Sequence, residues 1–278
     1  MLFSVITPTF NRRDVVRRAI DSGLQFVRAV GSGEVVVIDD ASRDGTVNML
    51  RKEYAQELGD GLMRLIVRQQ NGGSTVAKSD GARNAGGDWL IFLDSDDQLL
   101  PEAAAAMHNF ITAHPQVEVF FFRCCNEAGH LIGPPMQPQP LSLRHLLAVG
   151  TPGECLPVIS RAAFLTSPAD NDPLGYEFQT TLRIVRAFGP AMLSDAVTRR
   201  YYTSHHDRLV SRSGNIKRAK IHVVGLRRTL VEFGAMMPWC KRMGIVVRLL
   251  CYSLIALFTP SNPPVAKHPP ARAPQRRP

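Results

Sequence analysis

The chain has 278 residues, 45% of them hydrophobic and 21% charged, with a formal net charge of +9. That length can bury a full core in one domain, or in one domain with a smaller addition, and the ordinary apolar content excludes a wholly disordered chain. The charge is uneven: residues 199–278 hold 16 Lys and Arg against Asp207 and Glu232, a surplus of +14, while residues 1–198 hold 17 basic and 22 acidic residues, or −5.

A basic third beside an acidic remainder suggests contact with a polyanion, either nucleic acid or an anionic membrane. The sequence has no nucleic-acid-binding motif, and its aromatic residues do not interleave with the basic ones. The reading is therefore no nucleic acid and an anionic membrane surface as partner, with a merely solvated basic face as the alternative. The five cysteines, Cys124, Cys125, Cys155, Cys240 and Cys251, form no CxxC pair. Reduced thiols and a cytoplasmic protein, peripheral on the inner face of the cell membrane, are expected. The opening "MLFSVITPTF" lacks the basic start of a secretory signal, so no signal peptide is expected.

In chain order, residues 2–7, 35–39, 62–67, 89–93 and 117–122 are short apolar runs bounded by Gly, Asn or Asp, the signature of buried strands. Between them Val16, Ile20, Leu24 and Val27 recur at helical spacing, as do Val47, Leu50 and Tyr54. Alternating strands and helices predict an α/β fold, a mostly parallel sheet flanked by helices. Residues 123–175 are Pro-rich and predicted irregular, with "GPPMQPQP" at 133–140 as a loop. Helices are predicted at 176–188, 217–234 and 239–258, and the Pro-rich basic tail 260–278 is read as disordered. The apolar run from Ile245 to Phe258 would cover about 21 Å as a helix, too short for a hydrocarbon core of about 30 Å. It reads either as an interfacial helix with Lys241, Arg242 and Arg248 near headgroups, or as a buried core helix.

Three polar clusters, "TPTFNRR", "DDASRDGT" and "DSDD", each follow directly on a predicted strand. In parallel sheets ligands bind beyond the carboxyl ends of the strands, so Asp39, Asp40, Asp94, Asp96 and Asp97 are expected to share one crevice. Two carboxylates about 5 Å apart repel by roughly 3 kcal/mol at an effective dielectric of about 20, so such crowding suggests a bound divalent cation. Asp94 and Asp96 form a DxD, suited to Mg²⁺ or Mn²⁺ carrying a nucleoside diphosphate. Asp is also common in turns, so a lone DxD is a weak signal. Ser42 or Asp44 is expected to cap the helix after the second cluster.

Together "VITPTFNR", "VVVIDDASRDGT", "QNGGSTVAKSDGARNAGGDWLIFLDSDD" and the later "GYEFQTTLRIVRAFGP" resemble the family 2 glycosyltransferases of the GT-A fold, over residues 3 to about 210. The resemblance implies inverting, metal-dependent transfer of a sugar from a nucleotide-diphosphate donor, with a UDP-sugar favoured. The acceptor would be a hydroxyl of a surface polysaccharide or a lipid-linked glycan. It implies a donor half at 1–113, an acceptor and catalytic half at 114–210 and a basic helical extension at 211–259. By analogy Pro8, Thr9, Asn11, Asp39, Asp40, Lys78, Asp94, Ser95 and Arg208 would bind the donor, with Asp40 on the base and Asp94 on the nucleoside side. Asp96, and His205 or His206, would hold the metal, Mn²⁺ or Mg²⁺. Counting back from "DSDD" places Lys78, rather than Arg83, at the family's basic position; the change from Arg to Lys loses bidentate geometry. Where the family carries a Glu-Asp pair this chain has "GYEF", which makes Glu177 the base candidate and Asp172 the reserve. The plain alternative for Glu177 is a carboxylate favouring a helix N-terminus.

Three rivals are weaker. A phosphotransferase of the haloacid dehalogenase type carries its DxD on the first strand, whereas here it follows about the fourth. No Gly-rich loop follows the first strand, as a nucleotidyltransferase would need, and "GSGEVV" fails the dinucleotide fingerprint. A catalytically degenerate family member that only binds nucleotide or membrane is the non-enzyme alternative.

Overall fold

The structure is a computed structural model and describes residues 1–167, 172–202, 216 and 218–259. Its strands are β1 (Phe3–Thr9), β2 (Gly33–Asp39), β3 (Met63–Val67), β4 (Trp89–Phe92), β5 (Gln98–Leu99), β6 (Val119–Cys125), β7 (Gln139–Leu141), β8 (Cys155–Ser160) and β9 (Ala191–Arg200). They form one sheet in the order β3-β2-β1-β4-β8-β6-β9-β5, with β7 beside β9. β1 pairs in parallel with both β2 and β4, and β2 with β3, so these four strands end on the same edge. Every residue of β1 is buried, as expected of a central strand covered on both faces.

The helices are α1 (Val16–Val30), α2 (Thr46–Glu53), α3 (Ala55–Gly59), α4 (Ser74–Asn84), α5 (Ala103–Thr112), α6 (Leu143–Ala148), α7 (Arg161–Thr166), α8 (Phe178–Phe188), α9 (Ala219–Phe233) and α10 (Trp239–Leu257). α1 buries Val16, Ile20, Leu24 and Val27, the stripe read from the sequence, against one face of the sheet beside Val5, Val35 and Val37. Ile6, Val36 and Ile38 point the other way, onto α4, in the second core to which α7 and α8 also contribute. Gly81 of α4 lies so close to Ile6 and Ile38 that an added Cβ would overlap both. The helix can therefore sit on the sheet and hold its N-terminus at the strand ends.

The predicted helices at 176–188, 217–234 and 239–258 appear within two residues of those bounds. The Pro-rich stretch 123–175 corrects the expectation of irregular chain: it contains β7, α6, β8 and α7. The two prolines within its strands sit where a strand tolerates them. Pro140 is in β7, which among the described residues pairs only with β9, and Pro157 lies past the last residue that β4 pairs. β9 was not anticipated either, because its sequence "AMLSDAVTRR" breaks the apolar run with charges. The tail 260–278 lies outside the described residues.

Candidate active site

The ends of β1, β2 and β4 bring the three polar clusters together, and the first two loops are laced to each other. Asn11 N–H donates to Ser42 Oγ at 2.8 Å, and Arg43 N–H donates to Asn11 Oδ1 at 2.8 Å. Asn11 takes a left-handed backbone, φ 51°, which Asn tolerates better than most residues. Asp44 accepts from the Arg13 N–H at 3.1 Å and the Thr46 N–H at 3.0 Å, so it ties the loop as well as the start of α2. The cap position itself is Gly45, and Ser42 is spent on Asn11 rather than on the helix.

Asp39 and Asp40 differ sharply. Both Asp40 oxygens are occupied by the chain itself: Arg68 pairs with one, and the N–H groups of Gly72 and Gly73 donate at distances down to 2.7 Å. Arg68 also reaches Asp80 of α4 at 2.9 Å. Asp40, expected on the base, also braces the 68–73 loop. Asp39 Oδ1 accepts from the Ser42 N–H at 2.9 Å, while its Oδ2 and the neighbouring Thr9 Oγ1 are buried with no partner among the described residues. Pro8, the residue before Thr9, pairs in register with Ile38 and is buried in the same strand end.

After β4 the chain turns at Asp94–Asp97, closed by the Asp97 N–H donating to the Asp94 carbonyl at 3.0 Å. Lys78 Nζ, from the first turns of α4, stands 2.8 Å from Asp94 Oδ1. Burial works against both charges, but each outweighs that cost for the other: Lys78 is held above the ordinary lysine range, helped by Glu177, and Asp94 below the ordinary carboxylate range, helped by Arg199. Ser95 is buried, and the half-buried Asp96 carboxylate bonds no described residue, while its backbone carbonyl accepts from Arg18 at 2.5 Å. Arg18 in turn lies against the Tyr202 ring.

Asp97 is fully buried beside Arg199, at 3.2 Å, and accepts from the Tyr202 N–H at 3.2 Å. Burial pushes its carboxyl up to about 7; Arg199 opposes this and Asp94 and Asp96 add to it. The innermost of the three carboxyls thus carries chiefly the cost of burial, to which its two neighbours add a smaller part. Arg199, itself buried, also reaches Glu154, the residue before β8, at 2.6 Å and so ties β9 to both the turn and the start of β8.

Glu177 immediately precedes α8 and crosses to α4, where its carboxylate accepts from Thr75 Oγ1 at 2.9 Å and Ser74 Oγ at 3.2 Å. With Lys78 it lines a cavity of about 120 Å³ whose walls include Phe92, Ile159 and Phe164. Asp172, the reserve base, is elsewhere in character. It is buried and saturated, accepting from Thr180 Oγ1 at 2.7 Å, bidentately from Arg183 at 2.7 and 2.9 Å, and from Arg228 at 3.2 Å. It clamps α8 to α9. His205, His206 and Arg208 lie outside the described residues.

No three His, Cys, Asp or Glu side chains converge as a metal cage among the described residues. Asp94 and Asp96 nevertheless fit a hard divalent ion, which takes one or two carboxylates and completes its shell with water and phosphate oxygens. Sequence reasoning missed Arg68, Arg199, Ser74 and Thr75. A charged residue ending the apolar run "MRLIVR" was the available sign of Arg68; the hydroxyls had none.

The family model described as Glycosyl transferase family 2 matches residues 4–167. An uncharacterized glycosyltransferase of Haemophilus influenzae is 28% identical over 216 residues, 74% of this chain and 70% of that protein. The poly(ribitol-phosphate) beta-N-acetylglucosaminyltransferase TarP of Staphylococcus aureus is 32% identical over 110 residues, 38% of this chain and only 32% of TarP's own length. Among solved structures, S. aureus TarS 1–349 in complex with UDP-GlcNAc superposes with a TM-score of 0.63 at 19% identity, covering 93% of this chain and 74% of that one. The mannosyltransferase PcManGT of Pyrobaculum calidifontis, in complex with GDP-Man and Mn²⁺, gives 0.62 at 17% identity, covering 94% and 76%. At these identities the superpositions show the shared fold.

Proposed function

Because the chain belongs to glycosyl transferase family 2 and is a glycosyltransferase, we propose that it moves a sugar with inversion from a nucleoside-diphosphate donor, a UDP-sugar in preference. The acceptor is a hydroxyl of a surface-polysaccharide or lipid-linked glycan. Residues 1–113 form the donor half and 114–210 the acceptor half. The observation that carries this reading is the grouping of Lys78, Asp94 and Glu177 at the strand ends, with Lys78 bonded to Asp94 and sharing a cavity wall with Glu177. A TarS structure with UDP-GlcNAc and the polymer-modifying name of TarP support the donor and acceptor classes.

The donor's nucleoside lies across the ends of β1 and β2, where the unpartnered Asp39 Oδ2 and Thr9 Oγ1 await donors from base or ribose. Asp40 holds that loop in place through Arg68. Asp94 turns toward the nucleoside side, and Lys78 offers its charge to the diphosphate. A divalent cation held by Asp96, with Asp94, would supply positive charge to the leaving diphosphate. Glu177 takes the proton of the acceptor hydroxyl as its oxygen attacks the anomeric carbon. The bond to that oxygen forms as the bond to the phosphate oxygen breaks on the opposite face, and the diphosphate departs with the electron pair. Such a base is worth roughly 10² to 10⁴ in rate. The protein works on the inner, cytoplasmic side of the membrane; no helix among the described residues is long and apolar enough to cross it.

The test is thermal stabilisation by a panel of nucleoside diphosphates, with and without Mn²⁺, in the native chain and in Asp96→Asn. A ligand at about 100 times its dissociation constant stabilises by about 2.7 kcal/mol. One diphosphate should stabilise the native chain only with metal, and Asp96→Asn should lose the response. Stabilisation by none would remove the donor site.

A further inference from the structure

α10 is 19 residues long and buries none of them. Its inner face is half covered by α9: Ile245, Leu249, Tyr252 and Ile255 are intermediate in burial, and the Tyr252 ring lies 4.5 Å from the His222 ring of α9. The outer face is apolar and is left uncovered by the described residues. Trp239, Met243, Val247, Leu250, Leu254 and Leu257 recur at intervals of three or four residues, which puts them on one stripe. The stripe is open along its whole length, with Trp239 75% exposed at one end and Leu257 76% at the other, and it runs on into Phe258 at 87%. Single exposed apolar residues need no explanation, but a continuous stripe of this kind marks a surface that something covers. The core-helix reading of this segment is thereby excluded in the described structure.

The charges select the occupant. α10 carries Lys241, Arg242 and Arg248, all exposed, and has no Asp or Glu. The α10 of a second copy laid along the stripe would add three more cationic side chains and no carboxylate to balance them. Anionic lipid headgroups supply the missing countercharge, and the acyl region accepts the stripe. We infer that the outer face of α10 is a seat on an anionic bilayer, the helix lying in the plane of the interface with its apolar stripe below the headgroups and its basic residues among them. This goes beyond the transfer reaction and stands whether or not the donor is the one proposed above.

The full chain is mixed with phosphatidylcholine vesicles that contain or lack phosphatidylglycerol and is sedimented. The native chain should pellet with the anionic vesicles and bind at least tenfold more weakly to neutral ones. L250E/L254E should bind the anionic vesicles at least tenfold more weakly while keeping the native far-UV circular dichroism and melting temperature. A readout without substitution comes from Cys240 and Cys251, exposed on α10, whereas Cys124, Cys125 and Cys155 are buried. Anionic vesicles should slow maleimide labelling of the two exposed thiols severalfold. The inference is overturned if the native chain stays in the supernatant, or if labelling is unchanged by anionic vesicles. It is equally overturned if the lipid-free chain sediments as a dimer that L250E/L254E dissolves, which would make a second copy the occupant. Nucleoside-diphosphate stabilisation, measured in parallel, fails independently of vesicle binding and so separates the two readings.

Discussion

Lys78 Nζ lies 2.8 Å from Asp94 Oδ1 and joins the start of α4 to the turn after β4. The pair is internally neutral, so a diphosphate arriving at the strand ends meets a lysine already held by a carboxylate. It needs further positive charge to compete, which is the physical case for a cation at the adjacent Asp96. Lys78→Met should weaken nucleoside-diphosphate binding by about 10- to 100-fold, corresponding to loss of a charge-assisted hydrogen bond of about 1.5–3 kcal/mol. Isothermal titration in the presence of Mn²⁺ reads this directly. An unchanged affinity would remove Lys78 from the donor site.

Glu177 accepts hydrogen bonds from two hydroxyls of α4, Thr75 and Ser74, an arrangement that orients its carboxylate. Glu177→Gln should lower the transfer rate by about 10² to 10⁴ and leave donor affinity within about twofold. Thr75→Val removes only the 2.9 Å hydrogen bond. It should cost about tenfold in kcat, since Ser74 alone then orients the carboxylate. Steady-state transfer measured for both variants decides between a base and a helix-start residue. Full activity in Glu177→Gln would leave the helix-start role alone.

The Asp40–Arg68 pair is buried on both sides, with side chains 4% and 6% exposed. Removing the cation strands a carboxylate whose remaining partners are two backbone N–H groups. Arg68→Met should therefore cost about 3–5 kcal/mol of stability, as breaking one side of a buried pair does. Urea unfolding followed by circular dichroism measures it. A loss below about 1 kcal/mol would mean that the loop relaxes and Asp40 is free to meet a ligand after all.

The parallel strands were legible because a strand buried on both faces reads as a mostly apolar run, as "FSVI" and "VVVI" do. Their common edge brings Asp39, Asp94 and Asp96 to one end of the sheet. What stayed hidden depended on partners distant in the chain. β8 and β9 contain Pro157 and Arg199, residues that argue against a strand locally and are tolerated because of where the sheet places them. Whether Asp39 or Asp40 keeps a free oxygen turns on Arg68, 28 residues beyond Asp40, and spacing alone cannot reveal that pair. The Asp172 clamp likewise needs Arg183 and Arg228, which the sequence shows as ordinary helical surface charges.

His222 links the C-terminal helices to the site: its Nδ1 lies 3.2 Å from the hydroxyl of Tyr176, the residue before Glu177, and its ring packs on Tyr252 of α10. Gly225 makes room for this, since an added Cβ there would run into the Tyr176 ring. Burial, and then Arg218 and Arg248, hold the His222 pKa below its ordinary value. The sign follows from which state takes the proton first. Below about pH 6.5 the unfolded chain protonates His222 while the folded chain resists. Its contribution is thus complete above that pH and is lost as the pH falls toward the folded value. The stability gap between the native chain and His222→Phe should be widest at about pH 7.5 and should narrow toward about pH 5, as read from urea midpoints at each pH. A gap that widened in acid would mean that His222 is charged in the folded state, and that the aromatic stack joining α10 to Tyr176 is not a neutral one.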